Sequence, residues 1–122
     1  MKIFDLFKRK KSLFDKLSKI QKKAQNSHIY IPDIIKYKLK EYWTIGLRGD
    51  CEDYALWCYF ECKKIDLEPN LVYCKVNGEG HLVCSVDGWI LDNNNFFVVP
   101  RDVLKYKWIS MGTVEGKWYK IK

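Results

Sequence analysis

The sequence predicts an α+β fold, with helices first and a small antiparallel sheet after them. Three observations lead there. Apolar residues in the first part of the chain recur at helical spacing. After Pro69 the period changes to two. Two strong turn pairs, Asn77-Gly78 and Asp87-Gly88, then divide the alternating segments into hairpins. The 122 residues suit one domain. A composition that is 48% hydrophobic and 16% aromatic supports a real core and excludes a disordered chain.

Ile3, Phe4, Leu6 and Phe7 are followed by Leu13, Phe14, Leu17 and Ile20, with lysines between. This spacing predicts an amphipathic helix over 3–24, or two short ones. Asn26 and Ser27 end the run, and Pro32-Asp33 opens a second helix over 33–42. Residues 43–50 read as a loop whose last residue, Asp50, caps the next helix, with Asp53 as the acid three positions on. That helix covers 51–65. Cys51, Ala55, Cys58, Cys62 and Ile65 form one stripe, so its buried face includes its first residue; Asp66 and Pro69 stop it. Strands over 71–76, 80–86 and 89–92 follow, and Asn93-Asn94-Asn95 turns the chain. Residues 96–99, with 108–111 or 118–121, are candidates for further strands.

The net charge of +7 is unevenly placed. Residues 1–40 carry 12 Lys/Arg against three Asp/Glu, whereas residues 41–122 carry 10 against 12. The chain therefore divides into a basic amphipathic helical arm, 1–28, and a domain, 29–122. Such an arm suits an anionic membrane surface, nucleic acid or an acidic partner, or serves solubility alone. Phe4, Phe7 and Phe14 lie at helical spacing, which is a packing pattern more than a base-stacking platform and speaks against nucleic acid. A membrane-surface helix stays open. No apolar signal region or spanning run occurs, so the expected location is the cytoplasm, or a host cytoplasm or virion for a phage-encoded chain. The five cysteines are odd in number and show no C-x-x-C spacing, which argues against structural zinc.

One cysteine stands apart. Cys51 falls at a helix start, where the dipole and free N–H groups favour a thiolate, the nucleophilic form. The flanking Asp50, Glu52 and Asp53 oppose this. From position alone, a packed first-turn cysteine is the simpler reading, and a lone strand histidine such as His81 is ordinarily structural too. Hairpin arithmetic joins His81 to a partner. If Asp87-Gly88 is a two-residue turn, Val86 faces Trp89, Ser85 faces Ile90 and Cys84 faces Leu91. Val83 then faces Asp92. Alternation puts His81, Val83 and Asp92 on one sheet face, with Asp92 diagonal to His81. A carboxylate there holds one imidazole nitrogen and leaves the other for a nucleophile, the role of the third member of a triad. The scheme requires the N-terminus of the Cys51 helix to meet that face.

Gly49-Asp50-Cys51-Glu52-Asp53-Tyr54-Ala55 resembles the nucleophile motif of the bacterial transglutaminase-like cysteine proteinases, the family of the calcium-dependent periplasmic protease of biofilm adhesins. Tyr42-Trp43-Thr44, Gly80-His81-Leu82-Val83 and Ile90-Leu91-Asp92-Asn93 resemble its other elements in the same order, over roughly residues 37–120. The resemblance implies a papain/transglutaminase-like fold, with N-terminal helices and the nucleophile helix packed on a small antiparallel sheet. It implies a cysteine peptidase with Cys51, His81 and Asp92 as the catalytic triad, a thioester intermediate and a protein or peptide substrate. An acyl transferase or amidase with the same triad, or a non-catalytic binding module on the same fold, are the alternatives. The backbone N–H of Cys51 and a group near Trp43 would form the oxyanion hole. Asp50 and Glu52 match acids that hold calcium in the family; no organic cofactor is implied.

Overall fold

The computed structural model describes residues 3–26 and 49–121. The expected helix over 33–42, and Trp43 with its loop, lie outside the described residues. Helix α1, Ile3–Gln25, is one continuous 23-residue helix. Helix α2 is Gly49–Lys64. The strands are β1 Asn70–Val76, β2 Glu79–Val86, β3 Trp89–Leu91, β4 Val99–Pro100, β5 Lys107–Gly112 and β6 Trp118–Lys120, with a 3-10 turn at Arg101–Val103. They form one six-stranded sheet in the order β4-β3-β2-β1-β5-β6. Every neighbouring pair is antiparallel. The α+β expectation is met, and both late segments supply strands.

Local chemistry explains the hairpins. Asn77 and Gly78 have φ of 53° and 82°, and Asp87 and Gly88 have 49° and 84°. These are the paired positive values of a type I′ turn, whose twist matches the strands it joins. The β2–β3 register follows: Val86 pairs with Trp89, Ser85 with Ile90 and Cys84 with Leu91. Helix α2 stops at a left-handed residue, Asp66, with φ of 61°. The Leu67 N–H reaches the Cys62 carbonyl at 3.1 Å and the Asp66 N–H the Lys63 carbonyl at 3.1 Å, a Schellman closure without its usual glycine.

The sheet carries a core on each face. On one, Leu17, Ile20 and Ala24 of α1 and Ala55, Leu56, Cys58, Tyr59 and Cys62 of α2 pack on Leu71, Tyr73, Leu82, Cys84 and Leu91. On the other, Val72, Val83 and Ile90 lie under Leu104, Tyr106, Trp108, Met111 and Ile121. The second half of α1 is thus built into the main core. Three expectations need correction. Ile65 is beyond the helix end and 44% exposed, because the chain has already turned away at the Schellman closure. Residues 96–99 are not a strand: only Val99–Pro100 pairs with β3, while Phe96 and Phe97 stand exposed in the preceding bend. The cysteine helix also spans Gly49–Lys64, so it starts two residues earlier than the expected 51.

Candidate active site

The site forms where the end of the sheet meets the start of α2. Alternation along β2 gives Leu82, Cys84 and Val86 to the helix-bearing core and Val83 to the opposite one. His81 shares the parity of Val83, so its side chain belongs to the face away from the body of α2. The helix reaches it with its N-terminus alone. Cys51 and His81 line one cavity of about 300 Å³ at the strand ends, together with Asn77, Glu79, Asn93 and Asn94. The structure therefore brings Cys51 and His81 together, but around the sheet end and not across its helical face.

Asp92, the first residue past β3, completes the group. His81 Nε2 donates to Asp92 Oδ1 at 2.6 Å. That leaves Nδ1 of His81 for Cys51, whose side chain is hydrogen-bonded to the imidazole. Asp92 is fully buried and Cys51 is 2% exposed, so these bonds act in a low-dielectric setting where they are strong.

Three further groups hold the carboxylate. The Asn94 N–H donates to Oδ1 at 3.0 Å, Asn95 Nδ2 to Oδ2 at 2.8 Å and the Tyr106 hydroxyl to Oδ2 at 2.6 Å. The ring of Tyr106 also meets the His81 ring edge-on, with centroids 5.7 Å apart. Burial alone would raise the Asp92 pKa. The hydrogen bond and charge of His81, then the Tyr106 hydroxyl and the Asn94 N–H, outweigh it and hold the carboxyl below its ordinary 3.8. For His81, burial alone would lower the pKa. The bonds to Asp92 and Cys51 and their charges overcome this and lift it from 6.5 to about 9. The imidazole is thus held as imidazolium through neutral pH, beside the sulfur.

Helix α1 braces this loop from behind. Gln21, 1% exposed, donates from Nε2 to the backbone carbonyls of Asp92 at 3.1 Å and Asn95 at 2.8 Å. Gln25 Nε2 reaches the Asn95 and Phe96 carbonyls, each at 3.0 Å. The Tyr54 hydroxyl of α2 donates to the Gln21 carbonyl at 3.2 Å, so one residue ties the cysteine helix to the aspartate loop. Sequence reasoning missed Gln21, Asn94, Asn95 and Tyr106. A signal existed for Asn94: Asp followed by three Asn favours an Asx turn, and the Asn94 N–H to Asp92 bond closes one. Nothing local pointed to Tyr106 or Gln21.

Of the other thiols, Cys74 lies nearest the site, with its Sγ donating to the His81 carbonyl at 3.5 Å, while Cys58, Cys62 and Cys84 belong to the main core. All five cysteines are free. Burial pushes Cys58 and Cys74 upward, and Cys84 is raised by its hydrogen bond with Cys62 and then by burial. They are packed hydrophobes. Glu52 is buried next to Cys51, and among the described residues no group of three or more His, Cys, Asp or Glu gathers to hold a metal. No described helix is long and apolar enough to cross a membrane.

A cysteine at a helix start, meeting a His–Asp pair at the end of an antiparallel sheet, defines a class: transglutaminase-like α+β proteins. The family model for bacterial transglutaminase-like cysteine proteinases (BTLCP) matches residues 4–122, and the chain belongs to that family. Neither the curated proteins nor the solved structures gave a match. Membership makes the protein a cysteine proteinase by family, with proteins as its substrates.

Proposed function

We propose that the protein cleaves a protein amide bond through a Cys51–His81–Asp92 triad and a thioester intermediate. The observation that carries the reading is the buried 2.6 Å His81–Asp92 pair, whose imidazole is also hydrogen-bonded to Cys51 at a cavity that both residues line. Reaction starts from the Cys51 sulfur as thiolate, the nucleophilic form, beside the His81 ring. The thiolate attacks the substrate carbonyl carbon. The oxyanion that forms needs donors already in place, and the N–H of Cys51 at the start of α2 is one. His81 gives its Nδ1 proton to the leaving amine, and the C–N bond breaks to leave a Cys51 thioester. Neutral His81 then takes a proton from water as water attacks the thioester, which releases the acid and regenerates the pair. Asp92 keeps the ring oriented and offsets its charge throughout.

Three finer points belong to the same proposal. Trp43, outside the described residues, is the candidate neighbourhood for the second oxyanion donor. Asp50 and Glu52 are proposed as carboxylate ligands that would hold a calcium ion, which takes oxygen donors; no step above depends on it. The cytoplasm is the proposed site of action.

The test is a peptide library derived from a whole proteome, digested with the full chain and read by mass spectrometry for new termini. Wild type should produce a consistent set of cleavages, and Cys51→Ala and His81→Ala should produce none. No cleavage by wild type, or the same cleavages by Cys51→Ala, would sink the proposal.

A further inference from the structure

The first two turns of α1 run past the core. Ile3, Phe4, Leu6 and Phe7 are 86%, 66%, 44% and 70% exposed, whereas Leu17, Ile20, Gln21 and Ala24 at the other end of the same helix are buried. Four large apolar side chains within five positions leave much apolar surface in water, an unfavourable state unless something covers it. Directly after them come Lys8, Arg9, Lys10 and Lys11, all exposed. The Lys8 ammonium lies over the Phe4 ring, 4.6 Å from its centroid, so charge and apolar tip form one continuous surface.

We propose that the N-terminal turns of α1 dock this protein on an anionic lipid surface. Ile3, Phe4, Leu6 and Phe7 enter the boundary between head groups and acyl chains, and the four cations behind them face lipid phosphates. Charge complementarity selects this occupant. Reversible membrane anchoring takes two signals, apolar insertion and a basic cluster, and both occur here within nine residues. Each cation near an anionic leaflet strengthens binding by about fivefold. Duplex nucleic acid would use the cations but leave the apolar tip in water. Side-by-side docking of a second copy would cover the tip but bring two sets of four like charges together. The surface is independent of the cavity at Cys51, so the inference stands or falls apart from the proteolytic reading.

The experiment is co-sedimentation of the full chain with vesicles of phosphatidylcholine and phosphatidylglycerol, beside vesicles of phosphatidylcholine alone, at low and high salt. The chain should pellet with the mixed vesicles at low salt and leave them at high salt. Lys10→Ala with Lys11→Ala should weaken binding by about twentyfold. Phe4→Ala with Phe7→Ala should weaken it by about tenfold or more. All four positions are exposed, so thermal melting and Cys51 reactivity should not change. Failure to bind the mixed vesicles, equal binding to both vesicle types, or variants that bind like wild type would overturn the proposal. So would duplex DNA binding tighter than vesicle binding and lost in the lysine variant, or a dimer broken by the phenylalanine variant; these outcomes assign the surface to nucleic acid or to self-association.

Discussion

At the scale of single residues, Asp92 is the group on which the described site converges. His81, Asn94, Asn95 and Tyr106 all bond its carboxylate. Tyr106→Phe removes the shortest of the neutral donors. A bond to a charged group is worth about 1.5–3 kcal/mol, and a residue that orients a catalytic partner typically matters about 10–100-fold. The expected outcome is a drop of that order in kcat with little change in KM. Because the Tyr106 hydroxyl helps hold the Asp92 pKa down, its loss should also move the acid limb of the pH profile upward. An unchanged profile would place Tyr106 outside the working of the site. The His81–Asp92 pairing was legible in the sequence because it depends only on one tight turn and strand parity. Tyr106 was not, since its position follows from β5 pairing with β1, a non-local contact with a register shift between Tyr73 and Cys74.

At the scale of elements, α1 does two things at once. Its second half belongs to the main core, and Gln21 and Gln25 brace the loop that carries Asp92. Leu17 is fully buried, so Leu17→Ala should destabilise the whole fold by about 2–5 kcal/mol in chemical denaturation. A variant as stable as wild type would make residues 1–28 an arm detachable from the domain. Gln21→Met keeps the length but removes the amide that serves two carbonyls. It should lower kcat by about tenfold while small-molecule alkylation of Cys51 persists, since the cysteine is held by α2. Equal kcat would show that the loop holds Asp92 unaided. Helical spacing revealed α1 and its apolar stripe. It gave no hint that a glutamine on that stripe was buried, because its partners are backbone carbonyls about seventy residues away. The failed strand at 96–99 has a similar origin: Phe96 and Phe97 look like strand residues, but the loop before them is pinned to α1 by Gln25.

At the scale of the whole molecule, the buried ion pair links stability to pH. The His81 pKa is raised from 6.5 to about 9, so its contribution is fully present below 6.5 and is lost as pH rises through about 9. The Asp92 pKa is lowered, so its contribution is present above 3.8 and is lost as pH falls through the lowered value. Stability should therefore peak between about pH 4 and 6.5 and fall by the order of 3 kcal/mol towards pH 9, read by urea unfolding. His81→Gln should flatten the alkaline decline; an equally steep decline in that variant would assign it to other groups. Under the proposed mechanism His81 must also carry a proton to the leaving amine, so the alkaline limb of activity belongs near the same pH. The overall architecture was readable because helices and hairpins each carry a local period. The order of the sheet beyond β3 was not, because nothing local specifies which strand an isolated segment joins.

The central claim is that Cys51 and His81 work as a pair. It is tested most directly by iodoacetamide alkylation of each cysteine, followed by mass spectrometry across pH 4 to 9, in wild type and His81→Ala. All five thiols are buried, and of them Cys51 lines the cavity. The account predicts that Cys51 is modified first and remains reactive on the acid side of neutrality, and that His81→Ala removes this acid-side reactivity without unfolding the protein. If Cys51 reacts no faster than the buried thiols, or if its pH dependence is the same in both proteins, the pair does not exist as a chemical unit and the proteolytic mechanism is wrong.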